Sequence, residues 1–138
     1  MMAMIMNEYA NEKVDLLRVI EMVLVHDLVE IDAGDTYAYD NKGNETKRER
    51  ELAAADRIFN ILPNDQAKMI RELWDEFEAG ETKEAKFAIT LDKTQPIMLN
   101  DATDGRAWME HGVKKEQIMA RNKKTPDGSV KIWDYFEK

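Results

Sequence analysis

The stretch Val23-Leu24-Val25-His26-Asp27-Leu28-Val29-Glu30 sets an imidazole beside a carboxylate near the end of an almost wholly apolar run, with a second carboxylate one turn later. Burying a charged carboxylate without a partner costs several kcal/mol, so Asp27 is expected to be paired with a cation, hydrogen-bonded or metal-bound if the run is buried. The run begins at Val14, and its apolar residues fall on nearly every side of a helix, leaving Asp15, Arg18 and Glu21 as a narrow polar strip. A helix apolar all round is a central helix. After Glu30 the pattern breaks at Ile31 to Thr36, where Gly34 permits a turn that returns Asp35 toward Glu30.

The chain around this helix has 138 residues, 43% of them hydrophobic, which is one domain with enough material for a core. A net charge of -8 argues against a broad footprint for nucleic acid or an anionic membrane, whereas a small anionic substrate is acceptable if a metal or local cations offset the field. There is no cysteine, so disulfides and thiolate metal sites are excluded. The opening Met1-Met2-Ala3-Met4-Ile5-Met6 lacks the basic flank and length of a signal peptide, and no run approaches the roughly 20 apolar residues of a membrane span. A cytoplasmic protein is expected.

Outward from the central helix, the first ten residues read as a helix without an N-cap, and Tyr37 to Asn44 as a polar surface loop. Thr46 and Glu49 fit a capping box ahead of Leu52, Ala55, Ile58, Phe59 and Leu62, which run at helical spacing to Pro63. The next helix starts at Asn64 or Asp65, carries Leu73, Trp74 and Phe77 inward, and stops at Gly80. Thr82 caps a further helix in which a lone acid, Asp92, falls on or near the inward face, with Pro96 four residues on to remove a backbone bond and kink that turn. His111-Gly112 marks a helix end, Val113 to Asn122 a helix, Lys124 to Gly128 a basic loop, and Ser129 the cap of a last short helix. No strand pattern is present, so the fold is expected to be all-α, a compact bundle of about six or seven helices.

Neutral imidazole with carboxylates is a ligand set for a divalent transition metal, and His26, Asp27 and Asp92 supply three candidates. The competing reading is that His26 and Asp27 hydrogen-bond each other or a helix end. Glu30, four residues after His26 on one helix face, can either orient and deprotonate a water or stand as a solvated helix end. Asp35 can equally cap its own turn. Trp74 and Phe77 read as core, His111 as a helix terminus, and Lys47, Arg48 and Arg50 as a solvated face, one of which could reach a phosphate.

His26-Asp27-Leu28-Val29-Glu30-Ile31-Asp32-Ala33-Gly34-Asp35, followed by Ala85-Lys86-Phe87-Ala88-Ile89-Thr90-Leu91-Asp92-Lys93, resembles the HD-domain metal-dependent phosphohydrolases, and within them the small 5'-deoxynucleotidase-type proteins. Leu73-Trp74-Asp75-Glu76-Phe77-Glu78 and Trp108 to Gly112 extend the likeness over essentially the whole chain. The resemblance implies His26, Asp27 and Asp92 as metal ligands, Glu30 as the acid assisting the attacking water, with Asp27 beside it, and Asp35 as a contact to the sugar side of a nucleotide. It also implies a first metal-binding His on the preceding helix and an upstream Arg-containing segment for the phosphate. This sequence has neither: Met1 through Ala10 stands where that helix would be, and the His would fall just before Met1. The chain is therefore expected to be a single HD-type domain shortened at its N-terminus.

The implied reaction is metal-assisted attack of water on a phosphomonoester, most simply a (deoxy)nucleoside 5'-monophosphate, with Mn²⁺, Co²⁺ or a similar ion. The rivals are a degenerate HD domain that binds nucleotide or a protein partner without turnover, a helical interaction module with purely structural acids, and a phosphodiesterase or alarmone hydrolase within the same group. A homodimer is expected, because a chain entering through an apolar helix exposes surface that needs cover.

Overall fold

The computed structural model describes residues 1–137, apart from the side chain at position 41. Among them there is no strand, and eleven α-helices, with 3₁₀ turns at Asn7–Tyr9 and His26–Val29, follow one another: α1 (Met2–Met6), α2 (Leu16–Val25), α3 (Glu30–Ala33), α4 (Asn41–Glu45), α5 (Lys47–Phe59), α6 (Asn64–Ala79), α7 (Lys83–Asp101), α8 (Arg106–Glu110), α9 (Lys115–Asn122), α10 (Thr125–Gly128) and α11 (Val130–Phe136). Six of these, α2, α5, α6, α7, α9 and α11, have seven residues or more. That matches the expected all-α bundle.

Helix α2 starts where the Asp15 carboxylate accepts hydrogen bonds from the amides of Leu17 and Arg18 at 3.0 and 3.3 Å, satisfying donors that a helix start leaves unpaired. Its residues Val19, Met22 and Val25 are buried, and α6 and α7 pack against it. The expectation of burial on all sides is overturned, since Leu17 and Leu24 are 65% and 70% exposed. Apolar composition did not specify how many neighbours would come: the described helices cover one face of α2 and leave the other to solvent. The helix also does not run evenly to Glu30. It tightens to a 3₁₀ turn over His26–Val29 before α3 resumes, and such a turn inside a helix is common at functional positions.

The core joins Trp74 and Phe77 of α6, Phe87, Ala88 and Leu91 of α7, and Phe59 of α5 to the buried face of α2. Helix α7 runs unbroken from Lys83 to Asp101 through Pro96. Helix α10 lies so close to α7 that a Cβ added at Gly128 would stand 2.4 Å from the backbone oxygen of Lys86, well inside van der Waals contact, so only glycine fits.

Three local readings change. The segment expected as a basic loop contains α10, held because the Thr90 hydroxyl donates to the Thr125 carbonyl at 2.9 Å. The polar stretch after Tyr37 contains α4, capped by Asp40, whose carboxylate accepts from Lys42 and Gly43. Thr46 precedes α5 without accepting a capping bond; its hydroxyl instead accepts from Arg50 Nε at 3.3 Å. Thr82 and Ser129 do cap α7 and α11 as expected.

Candidate metal centre

His26 is fixed from two sides. Its ring lies against Phe77 with centroids 4.4 Å apart, and its Nδ1 stands 2.8 Å from the carbonyl oxygen of Val23. A carbonyl can only accept, so Nδ1 carries the hydrogen and Nε2 of the neutral ring is a lone pair. That lone pair faces two more acceptors: Asp27 Oδ1 at 3.1 Å and Asp92 Oδ1 at 3.4 Å. Three acceptors facing one another repel unless a positive charge sits among them, whether a proton on Nε2 or a metal cation.

The donor set suits the second possibility. Donors bound cis to a small divalent ion at about 2.1 Å stand roughly 3 Å apart, and a ligating His typically donates its other N–H to a backbone carbonyl, as His26 does. Among the described residues, however, no three or more His, Cys, Asp or Glu side chains close around a common point. Nitrogen and oxygen chemistry therefore fit a divalent cation, and the ligand set is incomplete.

Without a cation the site is electrostatically uneasy. Burial opposes protonation of His26, but the hydrogen bond to Asp92 and the fields of Asp27 and Asp92 outweigh it and raise its pKa. The Asp27 carboxyl is raised too, first by withdrawal from water, with His26 pulling it down and Asp92 and Asp35 pushing it up. Its side chain is nonetheless 66% exposed, so solvent screening keeps that effect small. Glu30 is raised by burial and then by Asp27 and Asp35.

These groups line a cavity of about 510 Å³. Gly34, at φ +77°, makes the turn after α3 and bonds back to the Glu30 carbonyl, and Asp35 follows on the cavity wall. Arg50 holds this loop by donating to the carbonyls of Ala33 and Gly43 and to the Thr36 hydroxyl, so it is not a solvated side chain. Asp35 makes no side-chain hydrogen bond among the described residues, so it is not the turn cap that was its alternative. The structure thus gathers all five expected site residues, His26, Asp27, Glu30, Asp35 and Asp92, around one cavity.

Other lining residues were not legible. Lys47 and Glu51 of α5, paired at 3.3 Å, and Glu78 of α6, paired with Arg48 at 2.9 Å, belong to helices that read as packing elements. Phe77 is core and ring platform at once. Tyr37, Tyr39, Trp108, Lys93 and Arg121 also line it. Tyr37 stacks on His111 with centroids 4.9 Å apart, linking the loop after α3 to the end of α8. No signal in the sequence joins residues so far apart. A second depression of about 360 Å³, lined by Phe59, Asn60, Lys68 and Arg71 among others, gathers no acid or imidazole.

The model of the family described as HD domain matches residues 1–133. The chain belongs to the HD domain family. Among solved structures, this HD domain superposes with a TM-score of 0.92 on a chain from Magnetospirillum magnetotacticum MS-1 described as a predicted metal-dependent phosphohydrolase, at 43% identity, covering 99% of this chain and 68% of that one. The mouse 5'-deoxynucleotidase HDDC2 is 38% identical over 88 residues, which are 64% of this chain and 44% of the relative. The human 5'-deoxynucleotidase HDDC2 is 36% identical over 97 residues, 70% of this chain and 46% of the relative. The HD domain here thus spans less than half the length of these curated relatives.

Proposed function

We propose that this HD domain hydrolyses phosphomonoesters of the nucleoside 5'-monophosphate class, using a divalent cation held by His26, Asp27 and Asp92. The observation that carries the reading is the Nε2 lone pair of His26 facing two carboxylate oxygens at 3.1 and 3.4 Å, an arrangement that asks for a cation. Mn²⁺ and Co²⁺ suit such ligands, which discriminate weakly among divalent ions. When bound, the ion polarises the phosphoryl group and lowers the pKa of water. The carboxyl of Glu30, with its raised pKa, is a better base near neutrality than an ordinary glutamate. It takes a proton from the attacking water as the water oxygen bonds to phosphorus and the ester P–O bond breaks, and that proton then passes to the departing oxygen, which leaves as the alcohol. Asp27, beside it, orients that water. Asp35, with no internal partner, accepts from a sugar hydroxyl, and Tyr37, Tyr39 and Trp108 offer aromatic surface to the rest of the nucleotide.

The names of the relatives support a nucleotide substrate. Phosphate release from ribo- and deoxynucleoside monophosphates, measured with Mn²⁺ or Co²⁺ alongside elemental analysis of the purified protein, tests the proposal; Glu30→Gln should cut kcat by about 10²-fold or more. No release from any of these substrates with metal bound would refute it. The incomplete ligand set favours one other reading, an HD domain that binds nucleotide without turnover, whose signature is nucleotide binding with no phosphate released.

A homodimer is the simplest cover for the exposed Leu17, Leu24 and Ile31, since a second copy presenting the same face would bury both. No helix among the described residues is long and apolar enough to cross a membrane, and a chain without cysteine suits a reducing cytoplasm.

A further inference from the structure

The chain has seven arginines, and six are spoken for. Arg18 bonds Glu76, Arg48 bonds Glu78, Arg57 bonds Asp32, Arg71 bonds Asp56 and Asp75, and Arg106 bonds Glu110. Arg50 is held by backbone carbonyls and a hydroxyl. Among the described residues, Arg121 alone has a guanidinium with neither hydrogen bond nor ion pair, on a chain where acids outnumber basic residues 28 to 20. It stands on the wall of the cavity that holds the His26 site.

A second cation stands with it. Lys93 follows Asp92 directly on α7 and lines the same cavity, and its ammonium donates to the carbonyl of Arg121 at 3.2 Å. That contact brings the two residues together, so their charges repel each other, while Asp92 and Asp127 on one side and Lys124 on the other also act on Lys93. Among the described residues Lys93 has no ion pair either. Lys47, the other cation lining the cavity, is already paired with Glu51, and Arg48 beside it with Glu78.

Charge balance says what the pair is for. Asp27, Glu30, Asp35 and Asp92 face the cavity without a lysine or arginine partner, so a divalent cation cancels only half of their charge. A phosphomonoester dianion would then enter a wall that is still negative. We propose that Lys93 and Arg121 bind the phosphate group of the substrate, supplying from α7 and the last turn of α9 the positive charge that admits a dianion. The planar guanidinium fork of Arg121 matches two phosphoryl oxygens, while Lys93 acts as a point charge. This rests on the reading of the cavity as a phosphomonoester site.

The test is calorimetric titration of inorganic phosphate into the Mn²⁺-loaded full chain, as wild type, Arg121→Ala, Arg121→Lys and Lys93→Met. Arg121 is exposed, so its variants should fold, and unchanged melting temperature and Mn²⁺ affinity would verify that. Phosphate affinity should fall roughly 10- to 100-fold in Arg121→Ala, the effect of losing hydrogen bonds to a charged group, and recover in part in Arg121→Lys. KM for p-nitrophenyl phosphate, which has no sugar or base, should rise in parallel. Equal phosphate binding by wild type and Arg121→Ala overturns the proposal, as does a wild type that binds no phosphate. A KM that rises for nucleotides but not for p-nitrophenyl phosphate also overturns it, by assigning Arg121 to the base. Phosphate binding that depends on Arg121, in a protein that hydrolyses no nucleotide, would refute the hydrolase reading and leave this one standing. Hydrolysis indifferent to Arg121 would do the reverse.

Discussion

Helix α7 carries two polar regions that follow opposite rules. At the seam with α10 and α11, the hydroxyls of Thr90, Thr94 and Ser129 donate to the carbonyls of Thr125, Thr90 and Tyr9 at 2.9, 2.7 and 2.6 Å. All four hydroxyl residues there, Thr125 included, are fully buried, and only the Thr125 hydroxyl lacks a partner among the described residues. Two residues beyond Thr90, Asp92 turns a carboxylate toward an imidazole lone pair that another carboxylate already faces. Three of the four hydroxyls in the seam meet an acceptor within the chain, so the seam is largely satisfied as folded. The His26 site instead gathers acceptors that only a proton or a cation among them can reconcile. A buried polar group that finds its partner inside the chain holds the fold, and one left facing its own kind is held ready for a ligand.

The sharpest way to break this contrast is to remove an acceptor from the site. In Asp92→Ala, phosphomonoester hydrolysis should fall by about 10³-fold or more, since a cation polarising a phosphoryl oxygen contributes several kcal/mol to the transition state. At alkaline pH, where His26 is neutral and its bond to Asp92 adds nothing to stability, the metal-free protein should melt no lower than wild type. Phosphate release and a melting curve with chelator measure both halves. A large loss of metal-free stability would mean that Asp92 belongs to the fold, as Thr90 does.

The converse perturbation belongs to the seam. Gly128→Ala puts a methyl group 2.4 Å from the Lys86 carbonyl and from the Thr90 hydroxyl, so α10 must move off α7 or the site must strain. Overpacking of this kind costs about 2–3 kcal/mol, readable as a lower urea midpoint. The folded fraction should still bind Mn²⁺ with wild-type affinity. If metal affinity falls along with stability, the two regions of α7 are coupled and the division between them is not a clean one.

This division also marks what could be read before folding. Helices whose apolar residues recur at helical spacing, such as α5 with Leu52, Ala55 and Phe59 and α6 with Leu73, Trp74 and Phe77, were legible, because burial of one stripe is a local property of the sequence. His26, Asp27 and Asp92 were legible because acids and imidazole in apolar surroundings need partners, and the pattern around them resembles a known family. The seam was not, since Thr125 to Gly128 reads as a turn until α7 is there to receive it. Nor were Lys93 and Arg121: a lysine and an arginine on charged helices look solvated, and only the fold sets them without an ion pair, among the described residues, on a cavity lined by Asp27, Glu30, Asp35 and Asp92. The 3₁₀ turn over His26–Val29 was equally hidden, as was the exposure of Leu17 and Leu24, which depends on which helices come to cover α2.

The seam's hydroxyls do not titrate in the physiological range and the site's groups do, which makes pH the finest probe of the difference. In the metal-free protein the His26 pKa lies above its ordinary 6.5, so its contribution to stability is complete below about pH 6.5 and is lost as pH rises through the folded value. The carboxyls of Asp27 and Glu30, raised above 3.8 and 4.5, have the same sign: they favour folding when protonated and cease to do so once pH passes their folded values. Rising pH therefore strips the metal-free site of stability while creating the deprotonated ligands that a cation needs. The stabilisation by Mn²⁺, read as a gain in melting temperature, should accordingly grow between about pH 5 and pH 8, by up to about 1.4 kcal/mol of free energy per pH unit for each proton the ion displaces. Replacing Thr90 by Val should lower both curves together and leave their separation unchanged. A gain that stays flat with pH would mean that no proton leaves His26 when the ion arrives, and the lone pair facing Asp27 and Asp92 would then need an explanation other than a metal.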